Sequence, residues 1–274
     1  MTRIVVGVPC HRDEPGIART VMSLAESAER LDDPVRIVVC INGVDPANGA
    51  AAAALRENPG HAVVRLLDEA SKPAAWTALR DEPADVHVFA DADITVNKWA
   101  LPALVDGLAA PEVVATAAKQ QHEGDGVVAR VAAIPHRLAW GGLLGTLYAA
   151  KSDALPVEMP RDVLLDDAWL FAQLGGAGRV EQVPLAVATV QLPTRWRDLW
   201  RQRVRAEAGK QQLVAMGLPM AAAPKEATSV YRTLVAYPPR EWPYVATLAG
   251  VKFFAARRAR KGYGEWKLAT STKT

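Results

Sequence analysis

Val86-His87-Val88-Phe89-Ala90-Asp91-Ala92-Asp93 runs a short apolar strand pattern straight into two aspartates. A strand that is apolar on both faces belongs inside a sheet covered by helices, so this stretch predicts a buried central strand with a polar end. The segments before it repeat the theme. Ile4 to Val8 is a β-branched run stopped by Pro9, and Ile17 to Arg30 carries apolar residues at helical spacing. Val35 to Ile41 is a second strand closed by Asn42-Gly43, and Ala50 to Arg56 a second helix. His61 to Leu67 gives a third strand, and Trp76 to Arg80 part of a third helix. Strands alternating with helices predict a parallel, doubly wound α/β sheet. Ligands in such sheets bind at the carboxyl ends of the strands, where Pro9 to Glu14, Asn42 and Asp91 fall.

Beyond Trp99 the pattern gives a helix to Ala109, a strand near Val113 to Ala118, and a Gly- and His-containing loop through Ile134. Leu164 to Leu174 reads as a helix led by two acids, Val180 to Val190 as a strand, and Arg197 to Met216 as a long basic helix. Past Pro219 the chain reads as helical additions with a basic end, Arg257 to Lys261.

The 274 residues are 50% hydrophobic and 23% charged, the composition of an ordered globular protein. A net charge of +2 argues against a nucleic-acid partner bound through a broad basic surface. Cys10 and Cys40 sit in apolar strand runs and are expected to be reduced core thiols. The opening Met1-Thr2-Arg3-Ile4 lacks the pattern of a secretory leader, so a cytoplasmic location is expected. The apolar stretch from Trp242 to Ala256 is interrupted by Lys252 and too short to span a bilayer. With Arg257 to Lys261 behind it, it is a candidate for peripheral contact with an anionic membrane. The alternative is a helix packed on the domain with a solvated basic end.

Two carboxylates at i and i+2 at a strand end share one face, because successive side chains alternate. Hard oxygen ligands of this kind suit Mn²⁺ or Mg²⁺, which keep places for water and substrate phosphates. Asp91 and Asp93 would equally serve as a capped strand-end turn. Asp166 and Asp167 open a helix, where acids complement the helix dipole. Lys72, taken alone, is a solvated lysine.

Five stretches in order, from residue 4 to about residue 210, resemble the family 2 glycosyltransferases, inverting enzymes of the GT-A type. Val8-Pro9-Cys10-His11-Arg12-Asp13-Glu14 is similar to the strand-end loop that touches the nucleoside, with His11 and Arg12 in place of Tyr and Asn. Ser71-Lys72 to Thr77 is similar to a Gly-Lys-x-x-Ala-x-Asn segment near the nucleotide, and it precedes the Asp-Ala-Asp motif at the expected distance. Gly141-Gly142 to Lys151, with Tyr148, resembles the Gly-rich stretch beside donor sugar and acceptor. Leu164 to Leu170 resembles the motif that supplies the catalytic base, which puts Asp167, with Asp166 beside it, in that role. Leu199 to Ala206 resembles the Gln-x-x-Arg-Trp signature, implying diphosphate contacts from Gln202, Arg203 or Arg205. Ala206 stands where that family has Trp, leaving Trp200 and Trp196 as candidate stacking platforms for the acceptor. Ile41 stands where the family has a base-reading aspartate; Asn42 or Asp45 is the available substitute.

The resemblance implies a GT-A fold with a doubly wound mixed sheet over 1–215 and a C-terminal helical extension, 216–274, packed on the same domain. It further implies metal-dependent transfer of one sugar from a UDP or GDP sugar to an acceptor hydroxyl, with the ion on Asp93 and Asp91. Two alternatives stand beside it: a degenerate domain that binds nucleotide sugar without turnover, and a sugar-1-phosphate nucleotidyltransferase. The latter needs a basic Gly-rich loop after the first strand, which Val8 to Gly16 lacks. A dinucleotide-dependent oxidoreductase needs Gly-x-Gly-x-x-Gly there, and that is absent too.

Overall fold

A computed structural model describes residues 1–138, 145–176, 178–218 and 237–260. The described residues form two compact units. The first takes in 1–121 and 145–190, and the second 122–138, 191–218 and 237–260.

The first unit is built on a sheet whose eight strands lie in the order β3-β2-β1-β4-β7-β6-β8-β5. These are β1 (Ile4–His11), β2 (Val35–Asn42), β3 (Val63–Leu67), β4 (Val86–Ala90), β5 (Ile94–Val96), β6 (Ala115–Glu123), β7 (Leu147–Lys151) and β8 (Val180–Gln191). β1 pairs in parallel with β2 and β4, and β2 with β3. The sheet is not parallel throughout, as the strand-helix alternation suggested. β7 runs antiparallel to β4 and β6, and β5 antiparallel to β8, so the sheet is mixed. The stretch from Gly141 to Lys151 reads from sequence as a loop entering a strand, and β7 is that strand.

Helices α1 (Ile17–Ala28), α2 (Ala50–Glu57), α3 (Lys72–Arg80) and α4 (Ala100–Asp106) follow strands in this half. α1 buries Ile17, Val21 and Leu24, three to four residues apart. Each such side chain contributes roughly 1.5–3 kcal/mol when fully buried. α3 is held very close to the sheet. A Cβ on Gly7 of β1 would lie 3.1 Å from Leu79 Cβ, so a side chain there would push α3, and Lys72 at its first turn, away from the strands. Cys10 and Cys40 are both buried, in the adjoining strands β1 and β2. Burial pushes the Cys40 thiol up to about 11, which leaves it protonated and unreactive at neutral pH.

The second unit packs α5 (Gly126–Leu138), α7 (Trp196–Ala215) and α8 (Trp242–Ala259). Residues 126–134, read from sequence as loop, are the body of α5. The Val127-Val128 pair, Val131 and Pro135 weaken the helical signal there. Burial of Val128, Val131 and Ile134 against Leu199, Val245 and Leu248 decides in favour of helix. Among the described residues no helix is long and apolar enough to cross a membrane.

Candidate active site

Asp91 and Asp93 do not lie within a strand. β4 ends at Ala90, and the two aspartates occupy the tight turn that leads into β5. Strand alternation therefore does not account for their meeting; the turn does. Two contacts hold it. Asp91 N donates to Thr146 O at 2.8 Å. The Thr20 hydroxyl of α1 lies 2.9 Å from Ala92 O and 2.7 Å from Ile94 O, able to donate to either carbonyl. Thr20 is fully buried, and neither it nor Thr146 was distinguished in the sequence. An i+3 polar position on an otherwise apolar helix face was the signal available for Thr20.

Lys72 is the centre of the site. Its Nζ lies 2.7 Å from Asp91 Oδ1 and 2.7 Å from Asp166 Oδ2. Ser71 caps α3, its hydroxyl accepting from Ala74 N at 3.2 Å, and so fixes where Lys72 leaves the helix. Loss of water works against the ammonium, but the Asp166 and Asp91 carboxylates outweigh it and hold the pKa above the ordinary lysine value. Asp91 moves up: burial dominates, partly countered by Lys72 and reinforced by Asp93 and Asp166.

Asp166 and Asp167 are the first two residues of α6 (Asp166–Gln173), and their surroundings differ. Asp166 is committed to Lys72. Asp167 Oδ1 accepts from Ala168 N at 2.8 Å. Burial, then the charge of Asp166, push the Asp167 carboxyl up to about 6. A carboxylate poised there is ionised at neutral pH and still basic enough to take a proton from a hydroxyl.

Below this cluster lies an aromatic floor. Trp76, Phe89 and Tyr148 stack with centroid separations of 5.0 and 5.3 Å, and Trp76 Nε1 donates to the Tyr148 hydroxyl at 2.7 Å. Tyr148 is only 7% exposed, and burial raises its pKa well above the usual phenol value.

Pro9 and His11 close β1, beside β4 and at the same end of the parallel strands as Asp91. His11 Nδ1 accepts from Asp13 N at 3.1 Å, and Glu14 Oε1 accepts from Gly16 N at 3.0 Å. Asn42, in register with His11, is buried and donates from Nδ2 to Cys10 O at 2.9 Å. Ile41 beside it is fully buried. Asp45 takes a left-handed conformation, φ 52°, and both its carboxylate oxygens accept from Asn48 Nδ2 at 3.0 Å. The loop after β1 is tied down through Arg12 O, which accepts from Ala51 N at 2.9 Å. A Cβ on Gly49 would come within 2.4 Å of that oxygen, so only glycine allows α2 to start there.

The structure thus brings Lys72, Asp91, Asp93, Asp166, Asp167 and Tyr148 together in the first unit. Trp200, Gln202, Arg203 and Arg205 lie on α7 in the second unit. Trp200 is 37% exposed, as a stacking platform requires. Gly142 lies outside the described residues.

No protein-family model matches the chain, and no curated protein matches it. Solved structures do. A mannosyltransferase from Pyrobaculum calidifontis, in complex with GDP-Man and Mn²⁺, superposes with a TM-score of 0.59 at 22% identity, over 95% of this chain and 79% of that one. Glucosyl-3-phosphoglycerate synthase from Mycobacterium tuberculosis, in complex with Mn²⁺, UDP-Glc and phosphoglyceric acid, matches with a TM-score of 0.53 at 21% identity, over 80% and 81% of the two chains. The Staphylococcus aureus protein TarS matches 97% of this chain and 56% of its own length, with a TM-score of 0.51 at 12% identity. At this level of identity the likeness defines the fold, which is the GT-A fold of nucleotide-diphospho-sugar transferases.

Proposed function

We propose that this chain is a family 2 glycosyltransferase that moves one sugar from a UDP or GDP sugar to an acceptor hydroxyl with inversion at the anomeric carbon. The observation that carries this reading is the pair of unequal acids opening α6. Asp166 is neutralised by Lys72, and Asp167 is left basic beside it. A single displacement needs one base and no protein nucleophile, and Asp167 takes the hydroxyl proton as the acceptor attacks.

The residues fit a divalent ion. Asp91 and Asp166 share the Lys72 ammonium, and burial, reinforced by the neighbouring carboxylates, raises Asp91 and Asp167. A further positive charge relieves that excess. No three ligating side chains form a ready cage among the described residues. Mn²⁺ or Mg²⁺ on Asp93 and Asp91 would accordingly complete its shell with phosphate oxygens and water. Bound there, the ion supplies charge for the departing nucleoside diphosphate. Lys72 keeps Asp91 and Asp166 in place throughout, and Thr20 and Thr146 hold the turn. The Thr146 hydroxyl is buried without a hydrogen-bond partner among the described residues, which suits it to a donor-sugar oxygen. Pro9, His11, Glu14 and Asn42 are assigned to the nucleoside side. Gln202, Arg203 and Arg205 are assigned to the diphosphate, where a guanidinium matches two oxygens, and Trp200 to the acceptor.

Calorimetric titration with UDP and GDP tests the core of this reading. Mn²⁺ is expected to tighten one nucleoside diphosphate by about tenfold or more, worth about 1.4 kcal/mol, and Asp93→Ala to abolish the gain. Equal affinity with and without Mn²⁺ overturns the metal assignment.

A peripheral membrane location in the cytoplasm is part of the proposal. Phe253 and Phe254 of α8 are 64% and 60% exposed, ahead of Arg257 and Arg258 in its last turn. Vesicles rich in phosphatidylglycerol are expected to sediment the protein, and Phe253→Ser with Phe254→Ser to release it. Equal binding of the variant, or no binding by the original chain, removes the membrane from the picture.

A further inference from the structure

Four basic side chains from four elements lie near one another in the second unit. His122 near the end of β6 stacks on His136 of α5, ring centroids 4.0 Å apart and planes 26° from parallel. Arg203 comes from α7 and Lys252 from α8; their charges reach His136, and Arg203 reaches Lys252. Two imidazoles in face-to-face contact repel once both are protonated, and two fixed cations beside them sharpen the conflict. Loss of water, then His122, Arg203 and Lys252, push His136 down to about 3. Arg203 and Lys252 are lowered as well, first by burial.

The counter-charge is thin. Among the described residues Glu207 is the carboxylate that offsets Arg203 and Lys252, and Lys210 already holds it at 2.7 Å. Of the other charged groups on these elements, Glu123 of β6 accepts from Gln191 Nε2 at 3.2 Å, and Arg130 of α5 donates to the Tyr244 hydroxyl at 3.3 Å. The decisive atom is Arg203 Nε, which is buried and has no hydrogen-bond partner among the described residues. A buried donor left unmade costs about 1–3 kcal/mol, more on a charged group. Such a group persists where something outside the protein completes it.

We propose that His122, His136, Arg203 and Lys252 form a binding site for a phosphate-class dianion, built wholly from residues of the second unit. A tetrahedral oxyanion accepts at once from a guanidinium, an ammonium and imidazole N–H groups, and its double charge offsets the repulsion between Arg203 and Lys252. A halide offers one spherical acceptor and cannot do so. The site shares Arg203 with the diphosphate assignment above and otherwise stands on this basic cluster, not on sugar transfer. Its ligand chemistry is shared by inorganic phosphate, a phosphate ester on the acceptor, and the diphosphate of a nucleotide.

The test follows His136 by NMR on the full chain, at constant ionic strength set with sodium chloride and without divalent metal. At about pH 8, where both are dianions, inorganic phosphate and glycerol phosphate are expected to shift the His122 and His136 ring resonances saturably, as imidazole N–H groups donate to the bound anion. Arg203→Met is expected to weaken phosphate binding about tenfold or more. Lys252→Met, closer to solvent, serves if the first variant fails to fold. No shift with either anion, or the same shift and affinity in a folded variant, overturns the site. A nucleoside diphosphate with Mn²⁺ then distinguishes the sources. Displacement of phosphate by the nucleotide assigns the site to the donor, and simultaneous binding assigns it to a phosphorylated acceptor. Because the first arm uses neither donor nor metal, its outcome is independent of the sugar-transfer reading.

Discussion

Asp167→Asn is expected to lower turnover by about 10²–10⁴-fold, the usual cost of losing a general base, while the protein stays folded and keeps its affinity for nucleoside diphosphate. Asn has the same shape, and its carbonyl can still accept from Ala168 N, so the start of α6 is preserved. Slow hydrolysis of the donor, with water in place of the acceptor, reads the same base before the acceptor is known. Near-normal turnover removes Asp167 from the role. The pH dependence has a definite sign. The base works only when ionised, so the rate of the original chain falls as pH drops through about 6, where Asp167 is held. Stability runs the other way. A carboxyl whose folded pKa is raised favours the fold when protonated, so that contribution is present below about pH 4 and lost as pH rises through about 6. At pH 7.5 Asp167→Asn should therefore raise the unfolding free energy by about 1–2 kcal/mol after allowance for solvent. At pH 4 the gain should vanish. A general base installed by strain predicts this exchange of activity for stability; an acid that merely caps a helix predicts that its removal destabilises.

β1, β2 and β4 were legible because they are nearly continuous apolar runs, largely buried on both faces, and β3 keeps an apolar run although it lies exposed at the sheet edge. β5 is three residues long, without the length that announces a strand, and β7 was legible as the strand that a glycine-rich loop enters. α5 was missed for the opposite reason: its residues favour strand or turn locally, and packing within the second unit overrides them. At the site, Asp91, Asp93, Lys72 and Asp167 were singled out by the order of their segments, and the structure shows how they are held near one another. It shows that a turn, and not strand alternation, joins the aspartates. It also separates Asp166 from Asp167 by partner, which adjacency in sequence could not. The basic cluster was not legible as a cluster. Arg203 was read as a diphosphate contact, but His122, His136 and Lys252 come from three other elements and were not read as ligands.

Lys72→Met should be the most destabilising single change at the site. The substitution keeps the aliphatic stem and removes the ammonium that Asp91 and Asp166 share at 2.7 Å each. Breaking a buried ion pair from one side costs about 3–5 kcal/mol. Here 34% of the lysine side chain and 27% of each aspartate side chain are exposed, so water screens part of the loss. An effect of about 2 kcal/mol is expected, or roughly 4–8 °C in the unfolding midpoint. In the original chain Lys72 is held protonated above the ordinary lysine range, so its contribution is constant across neutral pH and lost only in strong alkali. The variant behaves differently. With the ammonium gone, Asp91 loses the charge that was holding its pKa down, and its ionised form becomes the costly one. Its stability deficit should therefore be largest near pH 8 and shrink as pH falls toward 5, when protonation relieves the repulsion. Thermal unfolding at the two pH values decides the matter. A deficit that does not change with pH would mean that Lys72 acts through packing, and that the carboxylates around it are not held together by its charge.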